Sequence, residues 1–281
     1  MRNENFGAIK PIYDSRRSQD SLIATLKVIV SRRVLLRELI RLDLVSRYKR
    51  SAIGILWSFL NPLLVSSVIY FVFGRIFNAY MPQTRGYASW VVSGVLLQVL
   101  LLTGITVSSA GLQQNISIIS RNRIQPILFA LSSAASHGIH FVIGCLALVP
   151  LALFTGQKLS LRIMLIPFFY ICVVLWLTGI GLLLVGWFMR FDDALYLFNA
   201  LLMIISYLSP FLYPIGILSD RLRYYVELNP VTNFVVTFRW LVYENHTATI
   251  VQISAVPIWS ATVFIAGVYW IRNRWNDFVM L

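Results

Sequence analysis

Acidic residues are scarce in this chain: 11 Asp and Glu stand against 24 Lys and Arg in 281 residues, and charged residues of both signs make up only 12%. A soluble domain usually carries about twice that charged fraction. With 58% apolar residues, the sequence therefore reads as an integral membrane protein. The only two cysteines, Cys145 and Cys172, lie inside long uncharged runs, which excludes a disulfide framework. Residues 1–50 hold twelve Lys or Arg and no apolar h-region, so a cleavable secretory signal is not expected and the chain should start in the cytoplasm.

Other absences exclude whole function classes. No Asp or Glu lies within any of the long uncharged runs, so proton or sodium coupling through an intramembrane carboxylate is not expected. A phosphate-binding G-x-x-x-x-G-K-[ST] loop is also missing; the nearest spacing, Gly181 to Gly186, is followed by Trp187 inside a run. This chain is thus expected to be no enzyme and to hold no cofactor. Asp192 and Asp193 form the only acidic pair, and neighbours on a helix point about 100° apart, so they suit a helix N-terminus better than a catalytic site. His137 and His140 share a helix face as half of a metal site would, yet no nearby Cys, Asp or Glu completes it, and no metal is expected. Packing or contact with a water-filled lumen is the alternative for this pair. His246 stands far along the chain, near the start of the last run.

What is present is length without charge. About 20 apolar residues cross a hydrocarbon core about 30 Å thick, and six runs qualify, which predicts spans at about 51–74, 88–111, 126–155, 163–189, 194–217 and 247–271. The fold class expected is all-α integral membrane, with six transmembrane helices, an N-terminal amphipathic interface helix and a re-entrant outer hairpin. Placing the N-terminus inside puts 17 Lys and Arg in cytoplasmic segments and 7 outside, so the positive-inside rule predicts both termini in the cytoplasm. The same placement at run ends accounts for the net charge of +13 without nucleic acid.

Three regions follow: a cytoplasmic arm at 1–31, an amphipathic helix at 32–50 and a six-span domain at 51–281. In the amphipathic segment Leu35, Leu39 and Leu42 recur at helical spacing, Leu36 and Ile40 widen the stripe, and Arg33, Arg37, Arg41 and Arg47 lie mostly elsewhere. Such a helix should rest at the inner headgroup boundary. The connection from Asp220 to Glu244 is too mixed to cross, but apolar patches around Phe234 to Trp240 suit a segment that dips in and returns.

Four stretches carry a family resemblance. R-Y-K-R-S-A-I-G-I-L-W-S-F-L-N-P, Arg47 to Pro62, follows the basic amphipathic helix; S-P-F-L-Y-P runs from Ser209 to Pro214; N-P-V-T-N-F-V-V-T-F-R runs from Asn229 to Arg239; and N-I-S-I-I-S-R-N-R-I-Q-P runs from Asn115 to Pro126. Together they resemble ABC-2 type permeases that export polysaccharides and polyol phosphates on lipid carriers, a family that includes exporters of O-antigen, teichoic acid, capsule and cell-wall galactan. The likeness spans about residues 32–275. One departure is that Gln125, rather than an aromatic, precedes Pro126.

The resemblance implies a multi-pass protein of the bacterial inner membrane, working as a homodimer with two copies of a separate ATPase that binds ATP and Mg. It implies export of a lipid-linked, polyprenyl diphosphate polysaccharide, and a cytoplasmic coupling helix drawn from Asn115, Ile116, Ile118, Ile119, Arg121 and Arg123. It also implies a re-entrant segment with Asn229, Pro230 and Arg239. From the residues themselves, Arg239 is a candidate partner for Glu227 or Glu244.

Arg47, Lys49 and Arg50, beside Trp57, sit where a lipid diphosphate reaches the inner leaflet, and they suit head-group steering as well as plain topology determination. Asn61-Pro62 is expected to interrupt the first span, removing a helical hydrogen bond and shaping either a gate or a packing kink. Tyr70, Phe71, Phe73, Tyr207, Phe211 and Tyr213 are the candidates for a sugar-conducting wall, because aromatic faces contact C–H surfaces without demanding one hydrogen-bond pattern. An interfacial aromatic belt is the competing reading. Export of a drug or small lipid, or a membrane-embedded glycosyltransferase, are the rival functions.

Overall fold

The computed structural model describes residues 22–49, 51–72, 87–122, 124–191 and 193–279. Arg50, Phe73, Arg123 and Asp192, singled out above, lie outside them. The described chain is helical, and five helical segments are long and apolar enough to cross a bilayer: Gly54–Val72, Tyr87–Gln113, Pro126–Thr155, Leu161–Arg190 and Ile250–Arg274.

Two helices precede the bundle. α1 (Leu22–Ser31) occupies the last ten residues of the N-terminal arm. Its composition, LIATLKVIVS, holds a single charge, and Ile29 packs against the apolar core. α2 (Arg33–Tyr48) follows with Leu35, Leu36, Leu39 and Ile40 turned to the bundle. Leu42 departs from the expected stripe and is 63% exposed.

The first crossing contains α3 (Trp57–Ile69), which runs unbroken through Pro62. Pro62 has no N–H for the Ser58 carbonyl, so the helical hydrogen bond expected to be lost there is lost, yet the helix continues. Gly144 packs against that carbonyl so closely that an added Cβ would lie 3.0 Å from it.

The second crossing is α4 (Tyr87–Gln98), a π-helical turn at Val99–Thr103, and α5 (Gly104–Gln113). It forms the centre of the molecule. In its most apolar stretch 72% of residues are buried, against 11% for the first crossing. Short α6 (Ile116–Asn122) leads to α7 (Pro126–Cys145), where Pro126 takes a first-turn position after the extended Gln125. α8 (Leu148–Thr155) completes that crossing and stops at Gly156, whose φ of 68° is the left-handed conformation glycine adopts without penalty.

α9 (Ile166–Arg190) and α13 (Ile250–Val279) pack together along much of their length. Their contact depends on Gly179 and Gly267: a Cβ on Gly267 would sit 2.4 Å from the Gly179 carbonyl oxygen.

α10 (Ala194–Leu208) begins directly after Asp193, at the helix start foreseen for the acidic pair, but is only 15 residues long. That is about 22 Å at 1.5 Å per residue, short of the core thickness. The run expected as a fifth span over 194–217 is thus an α-helix only as far as Leu208. Ser209 precedes Pro210, which drives it to an extended conformation (φ −97°, ψ 144°) and ends the helix. After this turn come α11 (Asp220–Leu228) and α12 (Pro230–Val242). The apolar patch read around Phe234 to Trp240 lies on α12, where Phe234, Val235 and Phe238 are fully buried, with Phe234 ringed by Phe169 and Trp176 at 6.2 and 5.2 Å between centroids.

Candidate functional site

Two cavities follow one another along the first crossing. The nearer to α2 has a volume of about 450 Å³ and is lined by Arg47 and Tyr48 of α2, Trp57, Ser58, Asn61 and Pro62 of α3, and His137, His140 and Phe141 of α7, with Leu96, Val99 and Leu100 behind. Its polar side is stitched together. The Tyr48 hydroxyl lies 2.9 Å from Ser58 Oγ and 3.1 Å from His140 Nδ1, and Ser58 Oγ is 3.0 Å from the same nitrogen. His140 Nε2, though buried, has no hydrogen-bond partner among the described residues.

One helical turn back along α2, Asp43 accepts from Arg47 Nε at 3.0 Å and from the Ser136 hydroxyl of α7. The Asp43–Arg47 pair aims the guanidinium along α2 at the cavity rim, and its partial exposure leaves part of that charge open to an anion. Of the predicted gate residues, the structure brings Arg47 and Trp57 together. Lys49 is exposed and does not line the cavity.

The second cavity, about 540 Å³, opens between α3, the second crossing and α10. Val65 and Ile69 continue the α3 wall, while Gln98, Thr103 and Thr106 face Asn199, Ser206 and Tyr207, with Ser209, Leu212 and Tyr213 from the turn after α10. Gln98 Nε2 donates to Ser206 Oγ across it. Its polar groups are neutral hydroxyls and amides.

Both spaces border the second crossing around its π-helical turn: Leu96, Val99 and Leu100 line the first cavity, and Gln98, Leu102, Thr103 and Thr106 the second. His137 Nε2 lies 3.3 Å from the Val99 carbonyl, so this histidine binds backbone at the turn. No group of three or more His, Cys, Asp or Glu able to hold a metal occurs among the described residues.

Among the candidate wall aromatics, Tyr207 and Tyr213 line the second cavity. Tyr70 instead leans on Tyr87 at 6.1 Å, and Phe71 is exposed on the outside of its helix. Phe211 is corrected: it is completely buried in the core and lines neither space. Sequence reasoning passed over Tyr48, Ser58, Gln98, Thr106, Asn199 and Ser206. The available signal was uncharged hydrogen-bonding side chains inside otherwise apolar runs, which pack toward protein or water rather than lipid.

In α6, Ile119 is 1% exposed and anchors in a cluster with Leu112, Ile127 and Leu128, whereas Ile118 and Arg121 face outward. Asn115 Nδ2 holds the Gly111 carbonyl at the end of α5, and Ile116 packs at the edge of the same cluster. The helix is firmly seated with one free face.

The pairing foreseen for Arg239 with Glu227 or Glu244 is also corrected. Glu227 pairs with Arg223 at 2.9 Å. Arg239 lies inside the bundle, bonded to backbone carbonyls and stacked on Trp90 with its guanidinium carbon 3.6 Å from the ring centre. Near it, burial, with a smaller push from Arg239, lowers His246 to about 4 and keeps it neutral.

Comparison with known proteins agrees with this architecture. Residues 34–243 match the ABC-2 type transporter family. The chain is 25% identical over 226 residues to an O-antigen export system permease protein RfbA of Klebsiella pneumoniae, covering 80% of this chain and 86% of that protein. It is 20% identical over 249 residues to an O-antigen export system permease protein RfbA of Myxococcus xanthus, covering 86% and 95%. With three quarters of its length matched and its apolar helices, buried second crossing and seated α6 in place, the chain belongs to the ABC-2 type transporter family of membrane permeases.

Proposed function

We propose that this permease exports a lipid-linked glycan, of the O-antigen kind named for its relatives, from the cytoplasmic leaflet of the bacterial inner membrane. The observation that carries the reading is the two cavities in series along α3: a basic rim at Arg47, then a neutral wall of hydroxyls, amides and tyrosines. A polyprenyl diphosphate needs cationic and hydrogen-bonding groups at headgroup depth. Arg47 at the rim, with the buried His140 Nε2 behind it, offers both. A sugar chain passing onward needs aromatic faces and neutral polar groups that do not fix one register, which Tyr207, Tyr213, Thr103, Thr106 and Asn199 offer.

The power stroke comes from two copies of a separate ATPase acting on a dimer of this chain. Six crossings would then be completed by α10 together with the Ser209–Pro214 turn, α12 would be re-entrant from the outer side, and both termini would lie in the cytoplasm. Six spans of one chain would line only half of a passage wide enough for a glycan, so a two-fold copy would close it. Force applied to the free face of α6 reaches α2 through α7, because Ile119 rests on the start of α7 while Asp43 and Tyr48 bond Ser136 and His140 farther along it. A rigid-body shift of α7 would then open or close the Arg47 cavity.

The test is reconstitution of the permease with its ATPase in vesicles carrying a lipid-diphosphate oligosaccharide. ATP-dependent appearance of the glycan in the opposite leaflet is expected, with no transport by the permease alone. Transport of small lipids or drugs in place of the glycan would favour the rival export reading. Turnover of a nucleotide sugar without ATP would point instead to a glycosyltransferase.

A further inference from the structure

Arg239 is buried to 5% exposure, and the three ion pairs among the described residues involve other side chains. A guanidinium taken out of water without a carboxylate carries a large desolvation cost unless its N–H groups are bonded. Here backbone carbonyls meet the two terminal nitrogens, while the buried Nε has no partner among the described residues. Nη1 donates to the Pro210 carbonyl at 2.8 Å; Nη2 donates to the Phe211 carbonyl at 2.6 Å and reaches the Trp90 carbonyl at 3.4 Å. The need is mutual, because a turn that breaks helical bonding leaves carbonyls that must find donors if buried.

The turn is held at a second point. Asn229, at the N-terminus of α12, donates from Nδ2 to Ser209 Oγ at 3.0 Å, while that hydroxyl donates to the Ile205 carbonyl at 2.7 Å. Asn229 also caps α12 by accepting from the Val231 N–H at 3.0 Å. On the opposite side the turn presses on α4 at Gly94, where a Cβ would lie 2.0 Å from the Phe211 carbonyl oxygen and 2.9 Å from Arg239 Nη2. Only hydrogen fits there. The same turn supplies Ser209, Leu212 and Tyr213 to the wall of the 540 Å³ cavity.

We infer that Arg239 and Asn229 form a clamp through which α12 fixes the backbone of residues 209–211, making Arg239 a positioning residue for the far wall of the passage. The inference rests on the reading of that cavity as the glycan route. Both clamp residues belong to one helical unit, so a tilt of α12 carries the turn with it. Lysine cannot replace the arginine, since a compact ammonium lacks the planar fork that reaches two adjacent carbonyls while stacking on Trp90.

The experiment uses the full permease–ATPase complex with Leu212→Cys as a reporter, in a background first shown to export. Labelling by a membrane-impermeant maleimide and export per ATP hydrolysed are read for Arg239→Lys, Arg239→Met, Gly94→Ala and Asn229→Ala. Arg239→Lys and Gly94→Ala are expected to change the labelling rate several-fold and to cut export per ATP several-fold, with assembly and ATPase activity retained. Asn229→Ala should shift both in the same direction by less. If the Arg239 and Gly94 variants do not assemble, Asn229→Ala, at a half-buried site, decides. Unchanged labelling in the assembled variants would overturn the clamp and leave the passage reading standing. Altered labelling with full export would show that the turn moves without walling the route, which defeats the inference and that reading together.

Discussion

The Tyr48 hydroxyl lies 3.1 Å from His140 Nδ1, tying the last turn of α2 to the middle of α7 across the mouth of the first cavity. With Ser58 as the third member, this triad joins three helices at one point. Tyr48→Phe keeps the ring and deletes both bonds. Each is worth about 1 kcal/mol net, so hydrogen exchange of α2 amides in the assembled complex should quicken roughly five- to thirtyfold. Unaltered exchange would mean that the triad does not hold α2.

Arg47 is expected to act on substrate capture and not on the later steps. Arg47→Ala should raise KM for the lipid-diphosphate glycan by about fivefold, the worth of roughly 1 kcal/mol for one basic side chain at an anionic surface, and leave kcat near its original value. Raising the salt concentration should narrow the gap between variant and parent. Initial export rates across substrate density check this, and a pure loss of kcat would contradict it.

Ser206→Trp places a large side chain in the second cavity, opposite Gln98. Export of the glycan should fall by an order of magnitude or more while the complex assembles and ATP hydrolysis continues, because only the route is filled. Full export by this variant would exclude the cavity from the passage.

Gly267→Val tests the framework. With the Gly179 carbonyl so close, the added side chain must push α13 away from α9. Overpacking of this kind costs about 1–3 kcal/mol or more, so the apparent Tm in detergent should drop by several degrees, with Gly267→Ala falling between. No shift would show that the two helices separate freely.

The helical membrane fold was legible because charges bracket the apolar runs: Arg85 and Arg121 flank the second crossing, and Lys158 and Arg190 fall close to the ends of the fourth. Less visible was the shortening of α10. Ser209 and Pro210 were in plain view, yet an uncharged run to Ser219 hid the break, since hydropathy does not register a proline's effect on its neighbour. The apolar patch of α12 was visible, but the places of Asn229 and Arg239 were not, because their partners, the Ser209 hydroxyl and the 210–211 carbonyls, come from another part of the chain. Arg47 and Trp57 were found from charge and position near α3. His140 was visible with His137 as a pair on one helix face, but Tyr48 and Ser58 were not, because only folding brings α2, α3 and α7 to one point.

The most direct measurement places a photo-crosslinking amino acid at Asn61 in the first cavity, at Ser206 in the second, and at Leu197 on the exposed flank of α10, in the working complex with a lipid-diphosphate glycan labelled separately in its lipid and sugar. Lipid label captured at Asn61 and sugar label captured at Ser206 only when ATP is present is the predicted pattern. Sugar label at Leu197 with none at Ser206, or the same capture with and without ATP, would contradict a nucleotide-driven route along α3.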